Sequence, residues 1–277
     1  MTAPMAEPVE LLPGHKHGLF LASPVMAAAG SFGYVGADVR ALLPPGLGAV
    51  VTRTLTRRPQ RLAPRPRFAE TPAGLVHRLH EGNAGFDAAT RRGQRGGWAA
   101  GDIPVIVSIA GAPEDCAYMA GRLDEMPGVT GVELRLWTLF SDEVLDEAEA
   151  VVSAVRTVTS LPVLVKLSPA APDLVSLACA CVDAGADVLV IGGPWPAWAP
   201  AAPYGDEEPG DGWLSGPALL PLVLPRVRQV AEAVAAPVIA CGGVQGPADV
   251  RAYLHAGARA VQVGSAFLVK REWEVRT

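Results

Sequence analysis

The chain has 277 residues, half of them apolar, and a formal net charge of −5. That length suffices for a large buried core, and the mildly acidic balance excludes the basic surface that nucleic acid or an anionic membrane requires. No apolar run approaches the roughly 20 residues of a membrane span, and the opening "MTAPMAEPVELLPGHKHGLF" lacks a signal-peptide core.

Short apolar, mostly β-branched runs recur along the chain. They stand at 25–29 (VMAAA), 48–53 (GAVVTR), 104–109 (PVIVSI), 131–137 (GVELRLW), 162–167 (PVLVKL), 186–191 (ADVLVI), 237–241 (PVIAC) and 259–263 (RAVQV). Helical patterns are expected between them, near 36–43, 86–97, 113–125, 142–158, 171–184, 217–235 and 247–256, with a stub after 266. Eight strands interleaved with helices predict an α/β fold, a (β/α)8 TIM barrel forming a single domain over 1–277. An open doubly wound sheet is the alternative, because periodicity does not show closure. A long Arg- and Pro-rich insertion, 53–82, follows the second strand. In a barrel it would lie over the face where strand ends and loops carry function.

The four cysteines, Cys116, Cys179, Cys181 and Cys241, form no C-x-x-C pair. Reduced, buried thiols in a cytoplasmic protein are expected, and no metal site. Two strands end in small residues, Gly242–Gly243 and Gly264–Ser265, and a Ser215–Gly216 turn precedes the sixth helix. Strand ends of this kind let backbone N–H groups approach a phosphate without a Cβ in the way. The alternative is that these glycines only make tight turns. Alternation along 163–167 puts Leu164 and Lys166 on one face. A lysine inside a barrel needs a partner, either a bound anion or a structural pair with Glu133.

The segments "SPVMAAAGSFGY" (23–34), "GAVVTRTLTRRPQ" (48–60), "ETPAGLVHRLHEGNAG" (70–85), "PVLVKLSP" (162–169), "PVIACGGV" (237–244) and "AGARAVQVGSAFLV" (256–269) resemble the dihydroorotate dehydrogenase family, class 1 and nearest class 1B. The resemblance runs almost end to end. It implies a barrel holding FMN that oxidises dihydroorotate to orotate in pyrimidine synthesis. It implies cofactor contacts at Ala28, Ala29, Gly30, Arg53, Lys166, Ser215, Gly216, Gly242, Gly243, Gly264 and Ser265. It also implies an electron-transfer partner subunit; a homodimer or that partner is expected to cover apolar surface left by a short eighth helix.

The substrate side departs from the family pattern. After the fourth strand the family reads Glu-Leu-Asn-Leu-Ser-Cys-Pro-Asn, where this chain has "ELRLWTLF" (133–140). Arg135 and Phe140 stand for the asparagines, and Thr138 for the catalytic-base cysteine. His77 replaces a substrate-binding asparagine, Arg53 a lysine, and Gly192–Gly193 an Asn-Thr or Asn-Ser pair, while Asn83 and Gly85 are kept. Thr138, His77 and Lys166 are therefore the candidate catalytic residues, and Arg53, His77, Asn83 and Arg135 the candidate substrate contacts. Alternation along 133–137 points Glu133, Arg135 and Trp137 into the barrel, which gathers cations suited to a small anionic substrate. Amides match the mixed donor and acceptor edge of a pyrimidine; arginine only donates, so dihydroorotate is expected to be handled poorly. Trp137, Phe140, Trp195 and Trp198 either stack on an aromatic ligand or fill the pocket as packing. A flavin-binding or flavin-free barrel without dehydrogenase activity is the alternative function. The tail "FLVKREWEVRT" (267–277) predicts a shortened eighth helix.

Overall fold

Each of the eight predicted runs forms one parallel strand, and each is bounded by glycine, proline or a charged turn. A computed structural model describes residues 7–35, 42–61, 68–77, 82–96, 98, 101–136, 143–199 and 210–269. The elements follow in chain order as β1 (Val9–Glu10), β2 (Phe20–Leu21), β3 (Val25–Ala27), β4 (Ala49–Val51), β5 (Phe68–Thr71), β6 (Gly74–His77) and α1 (Phe86–Gly96). Next come β7 (Val105–Ile109), α2 (Pro113–Asp124), β8 (Val129–Arg135), α3 (Val144–Arg156), β9 (Val163–Leu167), α4 (Leu174–Asp183) and β10 (Val188–Gly192). The chain continues through β11 (Trp195–Ala199), β12 (Gly210–Ser215), α5 (Leu220–Ala233), β13 (Val238–Cys241), α6 (Pro247–His255), β14 (Ala260–Val263) and α7 (Ser265–Val269).

The barrel is closed in the order β10-β13-β14-β3-β4-β7-β8-β9, which decides between the ring and the open sheet. The predicted helix at 36–43 falls largely on residues outside those described, as does the chain after Val269. The helix expected at 142–158 runs over Val144–Arg156. Helix starts follow local chemistry. Asp173 caps α4 by accepting from Ser176 N at 3.1 Å, and Asp249 accepts from Gln245 N and Gly246 N ahead of α6.

Two apolar layers hold the ring. The outer layer packs outward-facing strand residues such as Val107, Leu134, Val165 and Ile191 against helix residues such as Met119, Val152, Leu177 and Val227. The inner layer fills the barrel with Met26, Ala49, Ile106, Leu164, Val188, Ile239 and Ala260. The β1–β2 hairpin completes that layer. Its Leu11, Leu19 and Leu21 are buried against the interior and close one end. The long insertion is more ordered than a surface loop. Strands β5 and β6 join β11 and β12 in a four-stranded sheet, β11-β12-β6-β5.

Candidate functional site

The open end of the barrel holds a cavity of about 290 Å³. Its lining includes Ala28, Ala29, Gly30, Arg53, His77, Arg135, Lys166, Ser215, Gly216, Gly242, Gly243, Gly264 and Ser265. Thus nearly every candidate read from the sequence meets in one place. Two do not. Asn83 turns away from the cavity: it is 7% exposed, accepts from Gly85 N at 2.9 Å and bonds Thr56 Oγ1 through Nδ2 at 3.0 Å. These bonds shape the loop entering α1, and Asn83, expected as a substrate contact, is not among the residues that line this cavity. Thr138 lies outside the described residues, as do Trp137 and Phe140. Of the two remaining tryptophans, Trp195 packs on the outer core, whereas Trp198 is 66% exposed. Neither lines the cavity.

Strand alternation places the polar groups. Arg135 on β8 lies beside Lys166 on β9 in register, and both face inward. Arg53 extends past β4, its backbone N–H donating to Gly33 O at 2.6 Å. The Arg53 Nε is buried with no hydrogen-bond partner among the described residues. A buried guanidinium nitrogen without an acceptor is costly, so this atom points to a ligand oxygen. Across the cavity, His77 Nε2 and Ser215 Oγ are 3.1 Å apart. This pair comes from β6 and β12, whose register sets Trp213 opposite His77 and Ser215 opposite Leu75.

Lys166 is 4% exposed and donates to Gln262 Oε1 at 2.7 Å. Gln262 Nε2 in turn donates to Glu133 Oε2 at 2.8 Å. Lys166 and Glu133 are therefore linked, as one sequence reading had it, but through an intervening amide. Gln262 was missed from the sequence. The signal was present: in "AVQV" it is the one polar residue in a buried strand. Cys241 lines the same floor. Burial pushes its thiol up from the ordinary range, opposed in part by the positive charge of Lys166 and reinforced by Glu133.

The glycine turns have a reason of their own. A Cβ on Gly243 would stand 2.3 Å from Leu220 N, so the first turn of α5 sits directly on that backbone. The positive φ of +72° there also favours glycine. A Cβ on Gly74 would stand 2.1 Å from Ser215 O. Its loop and the Ser215–Gly216 turn pass in backbone contact, which seats the β5–β6 hairpin over the cavity. Tyr253 Oη donates to Gly242 O at 2.7 Å and fixes that turn from the helix side. By contrast, Gly30 has nothing within 4 Å of where a Cβ would be, and a Cβ on Gly264 would meet only Ala28 Cβ, at 3.6 Å. Those two positions border free space rather than packed protein.

Among the described residues the cavity is lined by cations and no carboxylate; Glu133 stands behind Gln262. No described helix is long and apolar enough to cross a membrane. Comparisons agree with this architecture. The crystal structure of DHODH from Eimeria tenella in complex with ferulenol superposes with a TM-score of 0.75, covering 90% of this chain and 78% of that one at 19% identity. That likeness supports the barrel fold. The dihydroorotate dehydrogenase B (NAD(+)) catalytic subunit of Desulforudis audaxviator is 39% identical over 263 residues, 91% of this chain and 85% of the relative. The subunit of the same name from Pelobacter propionicus is 37% identical over 265 residues, 91% of this chain and 86% of the relative. The family model described as Dihydroorotate dehydrogenase matches residues 14–276. With its barrel closed, its inward lysine in place and this match spanning nearly the whole sequence, the chain belongs to the dihydroorotate dehydrogenase family.

Proposed function

We propose that the chain is an FMN-dependent oxidoreductase that removes two hydrogens across a carbon–carbon bond of a small anionic substrate. The observation that supports it best is a single cavity joining the side-chain-poor end at Gly242–Gly243 and Gly264–Ser265 to the cationic end at Lys166, Arg135 and Arg53. The residues present fit FMN. The free space at Gly30 and Gly264 suits a group that approaches backbone closely, and the Arg53 Nε asks for an acceptor. Gly242, Gly243, Gly264 and Ser265, with Ser215–Gly216, would hold the phosphate. Ala28, Ala29, Gly30 and Lys166 would hold the ring end.

When bound, FMN supplies the acceptor for two electrons. This chain's residues do the rest. Lys166 brings a fixed positive charge into a site with little water, where charge counts for more than in solvent. Arg135 and Arg53 grip and orient the anionic group of the substrate. His77, oriented by Ser215 Oγ, accepts the substrate proton, and Thr138 is the second candidate for that step. The β5–β6 hairpin limits access of water from above.

Dihydroorotate, named for the relatives, is the first substrate to test. Arg53, His77 and Arg135 make this pocket rich in donors, so its turnover is expected to be slow beside that of an enzyme with amide contacts. Purified protein should take up FMN and show the flavin visible spectrum. Anaerobic mixing with dihydroorotate should then bleach it. Protein that does not bind added FMN would sink the proposal; binding without bleaching would redirect the search to other small carboxylates. The relatives are named as catalytic subunits, and on that basis we infer an electron-transfer partner subunit for this chain.

A further inference from the structure

We propose that Gln262 and Glu133 are positioning residues that together hold the Lys166 ammonium in place at the floor of the cavity. The functional consequence rests on the flavin reading above; the side-chain chain itself does not.

Three strands contribute. Glu133 is on β8, Lys166 on the adjacent β9 and Gln262 on β14. In the closed order β10-β13-β14-β3-β4-β7-β8-β9, β14 lies opposite β8. Gln262 therefore spans the barrel interior. All three are buried, Glu133 and Gln262 fully and Lys166 to within 4%. The chemistry fixes the direction of the bridge. An ammonium only donates, so the amide oxygen must face Lys166; a carboxylate accepts, so the amide nitrogen must face Glu133. The observed contacts, 2.7 Å and 2.8 Å, have that polarity.

Register explains why the bridge is needed. Arg135 pairs with Lys166, whereas Glu133 pairs with Leu164, two residues below. A carboxylate one layer down supports the ammonium from beneath. Because a neutral amide stands between them, the positive charge is not cancelled by direct contact and its field reaches the cavity. Other charged or titratable groups around Lys166 are Arg135 beside it, Arg53 across the cavity and the Cys241 thiol on the floor. The two arginines oppose the ammonium charge, and among the described residues Glu133, acting through Gln262, is a buried carboxylate that favours it. Glu133 Oε1 has no hydrogen-bond partner among the described residues. A strut serving packing alone would gain nothing from keeping a buried carboxylate oxygen unmatched.

The lysines of the chain are Lys16, Lys166 and Lys270, which makes a direct test practical. With Lys16→Arg and Lys270→Arg, ¹⁵N-lysine labelling leaves one side-chain nitrogen signal, that of Lys166. In this background Gln262→Met and Glu133→Gln should each move its deprotonation midpoint down by about one pH unit or more. Gln262→Asn keeps the amide but is too short to bridge, so it should behave like Gln262→Met. In FMN-loaded protein Gln262→Met should also lower the flavin reduction potential in the same direction as Lys166→Met. A Gln262→Asn or Gln262→Met protein that is folded and has the titration and potential of the parent overturns the proposal. Should the parent fail to take up FMN, the proposed function falls, and the nitrogen titration of the ligand-free protein still decides whether Gln262 and Glu133 hold Lys166.

Discussion

The two ends of the barrel interior are made from the same strands and differ completely in character. At the closed end the inward residues are Ile106, Leu164, Ile239 and Ala260. Two residues further along, the same strands present Ser108, Lys166, Cys241 and Gln262, all buried. Strand geometry is shared, because inward positions recur every second residue. What changes is what the neighbours offer. Below, leucines from the β1–β2 hairpin complete a layer that is apolar apart from Glu133. Above, each polar group finds a hydrogen bond or faces the cavity. The comparison teaches that stability and function are separated along each strand by about one step of the pleat.

The sharpest way to break that separation is to alter one strand at both levels. Leu164→Ala empties the closed end and is expected to cost about 2–5 kcal/mol of stability by chemical denaturation. Lys166→Met, two residues away, takes the cation from a buried chain and is expected to cost less than Leu164→Ala, because the space it vacates opens on the cavity, where water can reach Gln262. It should cut turnover of the loaded enzyme about 10²-fold or more, through loss of a charge aimed at the reacting region. If the stability losses were equal, the two levels would not be distinct. Gly243→Ala tests whether the cavity's turns also belong to the scaffold. Its Cβ would meet Leu220 N at 2.3 Å, so a loss of about 1–3 kcal/mol is expected together with weaker FMN binding. A stable variant that merely binds less cofactor would show that α5 can yield. His77→Ala lies wholly on the functional side. It should lower turnover about tenfold or more with an unchanged melting temperature.

The smallest effect probes the outer layer. Burial pushes the Cys116 and Cys181 thiols up to about 12. The unfolded chain ionises them above about pH 9 while the folded chain does not. Their contribution to stability is therefore complete below pH 9 and is lost as pH rises toward 12. Replacing both with alanine should flatten melting temperature against pH in that window.

Much of this was legible in the sequence because the barrel's signals are local. β-branched runs set the strands, alternation turned Lys166 and Arg135 inward, and small residues marked the ends of β13 and β14. Closure was not legible, since no local pattern records that β14, the last strand of the ring, pairs with β3, the first. Gln262 went unread for that reason: its partner Glu133 is distant in sequence and faces it only once the ring is closed. The bonds of Asn83 to the Thr56 loop were not legible either, because the motif position carries no sign of which loop its side chain meets. Gly243 was read for ligand approach or for a tight turn, and the pressure of Leu220 on it emerges only when α5 is packed. The insertion after β4 gave a loop-like composition because its strands are short and pair with β12, far along the chain.

The β1–β2 hairpin has a kinetic consequence. With Leu11, Leu19 and Leu21 sealing the floor, the cavity opens, among the described residues, at the other end of the barrel. That opening lies beneath the hairpin of β5 and β6. If the proposed reaction uses that opening for both entry and exit, product lingering there would obstruct the next arrival, and inhibition by product is then expected to compete with substrate.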